Sequence, residues 1–203
     1  MTSKLSMSLW GLAAVLSVAV GGYAYVFVPA GGSPAPGVLA NLFARPWLAL
    51  HAALAGTALI IGPFQFLPWV RNRRSLHRTL GKIYVASCLI SGLAGFILSF
   101  GNTAGPIAGF GFGTLALIWI YSTGQALRMA QARRFDEHRR WMIRSFALTF
   151  GAVTLRIYLP MSQVMGIEFL DAYRAIAWLA WVPNLMVAEA YLRREMTRLQ
   201  AAK

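Results

Sequence analysis

The sequence predicts an all-α protein, a polytopic membrane bundle in which six transmembrane helices form one domain over residues 1–203. Three observations predict this fold. Hydrophobic residues make up 58% of the chain and charged residues only 12%, which is about half the charged fraction of a soluble domain. Apolar segments of about 20 residues recur, the length that an α-helix needs to cross the hydrocarbon core. Lysine and arginine are concentrated in alternate connections between these segments.

Six segments are long enough to span a bilayer as helices, the form that satisfies all backbone hydrogen bonds within a single segment. Their approximate bounds are 8–28, 46–68, 82–100, 106–127, 141–160 and 173–192. The first follows Lys4 and is apolar from Leu9 to Val28, longer than the roughly 7–15-residue core of a secretory signal. We therefore expect it to be retained, and its removal would leave five helices. The Pro/Gly/Ser-rich stretch 29–37 is expected to form a loop.

The other segments carry small and polar residues at spacings of three and four, which place them on one helix face. In lipid, such faces are buried against neighbouring helices. The faces comprise His51, Ala55, Ala58, Gly62 and Gln65 on the second segment; His77, Gly81, Tyr84, Cys88, Ser91 and Gly95 on the third; Gly105, Gly109 and Gly113 on the fourth; Ser145, Thr149, Ala152 and Arg156 on the fifth; and Ala177, Trp181, Asn184 and Ala188 on the sixth. We expect most of these faces to be packing seams.

The distribution of basic residues predicts the orientation, because cytoplasmic loops are enriched in lysine and arginine. With both termini in the cytoplasm, 16 of the 19 basic residues lie on the inner side. They are Lys4, Arg71, Arg73, Arg74, Arg78, Lys82, Arg128, Arg133, Arg134, Arg139, Arg140, Arg144, Arg193, Arg194, Arg198 and Lys203. Arg45, Arg156 and Arg174 remain on the outer side.

The composition also argues against several classes of function. The net charge of +13 predicts affinity for a bilayer with anionic head groups, and not for nucleic acid, because the basic residues separate apolar segments and form no basic face. The single cysteine, Cys88, excludes an internal disulfide and a multi-cysteine metal site. The six acidic residues fall in loops or near helix ends, which makes a cation-coupled transporter the less favoured alternative.

Four polar residues at membrane depth form a candidate site: His51, Gln65, Arg156 and Asn184. His51 and Arg156 have similar predicted depths near the outer side, so they could line one polar site between the second and fifth helices. Arg156 could instead extend its long side chain to the outer head groups. An uninterrupted fifth helix would place His138 on the same face as Arg156, since 18 residues make five turns.

His77 and His138 lie at the inner ends of the third and fifth helices, in the arginine-rich contexts "RRSLHRTLGK" and "DEHRR". Three interpretations are open. They are solvated loop histidines, or they ligate one haem b iron while Arg78, Arg139 and Arg144 neutralise its propionates. In the haem interpretation, Asp136 or Glu137 would orient a ligand histidine. In the third interpretation, no haem is bound and the same arginines bind phospholipid head groups.

Three blocks carry a resemblance to a known family: "HAALAGTALIIGPFQF" (51–66), "LHRTLGKIYVASCLISGLAG" (76–95) and "EHRRWMIRSFALTFGAVTLRIYLP" (137–160). Together they resemble the bacterial membrane proteins grouped as domain of unknown function 2306, over about residues 45–160. The family's blocks include the positions of His51, Gln65, His77, His138, Arg144 and Arg156. The resemblance implies a multi-pass protein of the bacterial cytoplasmic (inner) membrane and implies no established activity.

A more distant analogy is to two-haem b-type membrane cytochromes, which require four histidine ligands. This chain has three histidines, so one haem at most fits, between His77 and His138. Two functional hypotheses therefore stay open. One is electron transfer through a b-type haem, with quinone as a partner. The other is a non-enzymatic module: an accessory subunit of a membrane protein partner, or a binder of lipid or a small anionic solute. Whether the protein is an enzyme is left open.

Overall fold

The computed structural model of the chain describes residues 4–27, 41 and 43–201, and within these ranges it contains helices and no strand. The predicted loop 29–37 and Lys203 lie outside the described residues, as do the side chains of Lys4 and Arg45. The helices are α1 Lys4–Phe27, α2 Ala44–Phe64, α3 Pro68–Asn72, α4 Arg74–Phe100, α5 Pro106–Gln131, α6 Phe135–Thr149, α7 Gly151–Val164, α8 Phe169–Leu179 and α9 Val182–Ala201.

Six spans in the described residues are long and apolar enough to cross a membrane, which confirms the predicted all-α fold with six transmembrane helices. Four spans are single helices, formed by α1, α2, α4 and α5. The fifth combines α6 with α7, and the sixth combines α8 with α9. The compartment that each end of the bundle faces stays a prediction.

Two helices begin more than four residues before their predicted apolar segments. α4 begins at Arg74 and α6 at Phe135, because arginine, leucine and glutamate continue a helix readily at the membrane surface, where their polar groups reach water. Both histidines of the arginine-rich contexts are therefore helical: the backbone N–H of His77 donates to the Arg73 carbonyl and that of His138 to the Arg134 carbonyl, each at 2.9 Å.

The fifth and sixth spans each contain a break that the apolar pattern did not predict. The fifth span tightens at Phe150, whose carbonyl accepts from the N–H of Val153 at 2.9 Å as well as from that of Thr154 at 3.2 Å, which forms a local 3₁₀-type turn. The sixth breaks between Leu179 and Val182, because Pro183 has no N–H to donate to the Leu179 carbonyl. The two breaks give the spans distinct halves with different neighbours.

The centre of the bundle is built around α4. This helix packs between α2 and α5, α6 packs on α5, and α1 packs on the far side of α2. Small residues permit these approaches: a Cβ on Gly21 of α1 would lie 2.8 Å from the Gly56 carbonyl oxygen of α2. Buried side chains of four helices meet at the centre of the core, among them Ala58, Tyr84, Trp119 and Leu148. The predicted small-residue faces of α2 and α4 are therefore packing seams, as expected in lipid. On the α5 face, Gly109 and Gly113 lie against Ser99 of α4, but Gly105 precedes the helix and a Cβ there would meet no atom within 4 Å.

Gly111→Val is expected to lower the free energy of unfolding by about 2 kcal/mol, within the range for overpacking a core. A Cβ at Gly111 would lie 2.9 Å from the Ala177 carbonyl oxygen, so α5 and α8 would have to separate. Titration of the detergent-solubilised protein with dodecyl sulfate, followed by tryptophan fluorescence, measures the change. Gly124→Ala is the matched control, since no atom lies within 4 Å of its added Cβ, and it should be neutral or slightly stabilising.

Candidate functional site

Polar side chains gather at the two ends of the bundle. The arginine-rich end is defined by the connections 65–73 and 132–134, and the arginine-poor end by the opposite ends of the same spans. Arg156 and His51 lie towards the arginine-poor end. His77 and His138 lie at the arginine-rich end. Because successive spans alternate in direction, the two groups are separated by much of the thickness of the bundle.

Arg156 lies in α7, eight residues before its last residue, Val164, which places it about 12 Å inside the helix end. Its side chain is partly buried. The guanidinium donates from Nη1 to the Ala152 carbonyl at 3.1 Å, and its carbon lies 5.8 Å from the centre of the Tyr23 ring of α1. A carbonyl and an aromatic face stabilise a cation but do not neutralise it.

No carboxylate in the described part of the chain pairs with Arg156. It has six acidic residues, all of them described, and four form ion pairs with other arginines. These pairs are Arg134–Glu137, Arg139–Glu195, Arg144–Glu189 and Arg174–Asp171. Of the other two, Glu168 accepts from the backbone N–H of Asp171 at 3.0 Å, and Asp136 lies in the first turn of α6, at the arginine-rich end. Among the described residues, therefore, Arg156 has no anionic partner.

His51 lies within electrostatic range of Arg156 and is fixed against α4. Its Nδ1 bonds to the Ser91 carbonyl at 2.9 Å, and the Ser91 hydroxyl donates to the His51 carbonyl at 2.9 Å. Since a carbonyl only accepts, Nδ1 carries a proton and Nε2 is the ring's other hydrogen-bonding atom. A Cβ at Gly95 would lie 3.0 Å from the imidazole, so the absence of a side chain there admits the ring.

Gln65 lies far from His51, and the hydrogen bonds of Asn184 go to neither His51 nor Arg156. Gln65 is 14 residues beyond His51, about 21 Å along the helix direction, and it is buried near Gly81. The Asn184 amide donates to the Thr154 hydroxyl at 2.9 Å and to the Ala180 carbonyl at 3.0 Å. Asn184 therefore bridges α9 to α7 at the break in the sixth span. Tyr23 takes part in the site although the sequence pattern did not mark it.

At the arginine-rich end, His77 and His138 lie within electrostatic range of each other. The Nδ1 of His138 bonds to the Ala126 carbonyl at 2.8 Å, so this nitrogen also carries its proton and Nε2 is left for another partner. His77 Nδ1 and Gln65 Nε2 are buried, and neither bonds to a described residue. His77 and Gly81, against which the Gln65 amide lies, are one turn apart on the same face of α4.

The three arginines of the haem interpretation have different environments. Arg139 pairs with Glu195 at 2.7 Å and also donates to the Tyr191 hydroxyl. Arg144 pairs with Glu189 and stacks on Trp141 at 4.7 Å. Arg78 is exposed on α4. Two of the three cations are thus neutralised by α9, and they connect α9 to α6. No local sequence pattern marks these pairs, because the partners are 56 and 45 residues apart.

The described residues contain no group of three or more histidine, cysteine or acidic side chains arranged to hold a metal ion. Comparison with known proteins finds one family: a family model described as a predicted membrane protein, domain of unknown function 2306 (DUF2306), matches residues 48–192. The matched part contains every candidate residue named above except Tyr23. No curated protein and no solved structure matches the chain significantly.

Proposed function

The chain belongs to the domain of unknown function 2306 family of predicted membrane proteins, and we propose that it is a non-enzymatic membrane module that binds an anion at Arg156. The ligand is a lipid phosphate or a small anionic solute. One observation carries the proposal: a guanidinium inside a membrane span has only the Ala152 carbonyl and the Tyr23 ring as described partners. A buried charge is costly unless it is paired, so an external anion would relieve this cost.

The neighbours of Arg156 support an anion more than a partner's cation. The Tyr23 ring and the His51 imidazole supply no negative charge that would compensate the guanidinium. Of the two acids at this end, Asp171 pairs with Arg174, and Glu168 accepts from the backbone N–H of Asp171 at the start of α8. A phosphate or carboxylate would bond to the planar guanidinium through two parallel N–H···O contacts, which are stronger than bonds between neutral groups.

Arg156→Gln is expected to reduce the affinity for one bound anion at least tenfold, since a charge-assisted contact is worth more than the 1.4 kcal/mol that a tenfold change represents. Native mass spectrometry of the protein titrated with phosphatidylglycerol, and calorimetry with inorganic phosphate, measure binding and separate a lipid from a solute. Arg156→Lys should retain part of the affinity, because the charge remains without the planar fork.

Arg174→Gln is the matched control, because Arg174 lies at the same end but is paired with Asp171. It should bind both probes as the wild type does. If Arg156→Gln binds phosphatidylglycerol and phosphate as well as the wild type while remaining folded, the proposal is wrong. Loss of a co-purifying membrane protein without loss of either probe would instead assign the anion to a partner's carboxylate, the accessory-subunit alternative.

A second candidate function is electron transfer through a b-type haem held between His77 and His138, with quinone as the electron partner. Its support is the His138 Nδ1 bond to the Ala126 carbonyl, since axial histidines are oriented by a bond of this kind. The ion pairs of Arg139 and Arg144 leave only Arg78 of the three proposed propionate partners. Protein expressed with ample haem should show a Soret band and split visible bands on reduction, and their absence excludes this candidate.

A further inference from the structure

At the arginine-rich end, a groove separates α6 from α9. Six residues line it: Glu137, Arg140, Trp141, Arg144, Leu192 and Met196. We call it the α6–α9 groove, and its volume is about 170 Å³. The four residues from α6 have spacings of three, one and three, which place them on one face, and the two from α9 are one turn apart. The groove is therefore a continuous seam between two helix faces.

Most charges in the α6–α9 groove are already neutralised. Arg144 forms two hydrogen bonds with Glu189 and stacks on Trp141. Glu137 is paired with Arg134. Arg140 is the exception, because its guanidinium bonds to none of the described residues. The groove thus offers one unpaired cation.

The α6–α9 groove also has an apolar surface, formed by Leu192 and Met196 of α9 and by Trp141 of α6. Leu192 is buried and Met196 is exposed on α9, and Trp141 contributes its ring from α6. The Trp141 ring also meets Tyr121 edge to face at 5.5 Å. Trp and Tyr side chains with this position near a span end are typical of the membrane interface. A molecule that fills the groove would place a charged group at Arg140 and an apolar part along α9.

We propose that the α6–α9 groove binds an anionic phospholipid, with the phosphate at Arg140 and an acyl chain along Leu192 and Met196. A free phosphate would satisfy Arg140 and leave the apolar wall unfilled, whereas a lipid satisfies both. The net charge of +13 and the concentration of arginine at this end favour anionic over zwitterionic head groups. The site is separate from Arg156, which lies at the opposite end of the bundle.

The experiment is a titration of the purified protein with phosphatidylglycerol and with phosphatidylcholine of the same acyl chains, followed by native mass spectrometry. It is done in the wild type and in Arg156→Gln, so that lipid binding in the groove is also measured without lipid binding at Arg156. We expect one phosphatidylglycerol to bind at least fivefold more tightly than phosphatidylcholine in both proteins. Arg140→Gln should reduce this preference to less than twofold.

Two further variants separate a lipid from other ligands. Arg78→Gln removes one exposed charge at the same end but outside the groove, and it should keep the preference. Met196→Gln makes the apolar wall polar at an exposed position, and it should weaken phosphatidylglycerol binding by several fold without changing the binding of inorganic phosphate. An unchanged preference in Arg140→Gln, or equal loss in Arg78→Gln, would overturn the proposal, and so would inorganic phosphate that displaces the lipid at equal concentration.

Discussion

Replacing Tyr84 with alanine is expected to lower the free energy of unfolding by about 4 kcal/mol, within the range for truncating a buried aromatic side chain. The ring is fully buried at the centre of the bundle. Its hydroxyl bonds to the Ser145 and Thr149 hydroxyls of α6, each at 3.0 Å. The substitution therefore opens a cavity and also removes the polar link between α4 and α6. Unfolding by dodecyl sulfate in mixed micelles measures the loss.

Tyr84→Phe separates the two contributions, because it keeps the ring and removes the hydroxyl. We expect a loss of about 1 kcal/mol, since hydrogen bonds between membrane helices contribute modestly. Thr149 would keep the indole N–H of Trp119 as a donor at 2.9 Å, which limits the cost. Tyr121→Ala is the control at a 55% exposed position. Equal losses for Tyr84→Ala and Tyr121→Ala would show that Tyr84 does not organise the core.

The spans followed from the sequence because the bilayer imposes one length on every crossing. The fourth span begins at Pro106, as predicted, since proline at the first helical position loses no hydrogen bond. The start of α4 was less predictable. The residues from Arg74 to Lys82 look like a loop by polarity, but Leu76 and Leu80 are one turn apart and the helix continues through them. Polarity marks where the hydrocarbon core ends, and a helix does not have to end there.

The depth of His51 and Arg156 could also be estimated, because helix rise converts residue number into distance. The contact of Arg156 with Tyr23 of α1 could not be predicted, since it depends on which helices are neighbours. Tyr23 shows the same limit, because an aromatic residue in an apolar helix gives no sign of a functional role until α1 is placed among its neighbours. The break at Phe150 was also hard to predict, because Gly151 is its local signal and a single glycine is tolerated inside a helical pattern.

The paired arginines show why charge counting gives topology and misses packing. Lysine and arginine counts treated Arg139 and Arg144 as residues that orient the chain. Both also hold α9 against α6 through glutamates that follow 56 and 45 residues later, respectively. No periodic pattern links such distant positions. Once these pairs are known, Arg140 in the α6–α9 groove and Arg156 inside its span are left without a pairing carboxylate among the described residues.

Replacing Glu189 with leucine is expected to lower the free energy of unfolding by about 2 kcal/mol, less than the 3–5 kcal/mol for breaking a fully buried ion pair. Glu189 Oε2 lies 3.0 Å from Arg144 Nη2, and Glu189 Oε1 accepts from Arg144 Nε at 2.5 Å. The side chains are 34% and 22% exposed, so lipid head groups and water would compensate part of the loss. The variant leaves the Arg144 cation beside Trp141 without its carboxylate.

The double variant Arg144→Met/Glu189→Leu tests whether the loss comes from the unpaired charge. It should recover to within about 1 kcal/mol of the wild type, because replacing both partners with apolar groups removes the desolvation cost as well as the attraction. Glu195→Leu is the comparison at a more exposed pair, with Arg139 39% exposed, and it should cost less than about 1 kcal/mol. A double variant as unstable as Glu189→Leu would mean that packing at Arg144, and not its charge, joins α9 to α6.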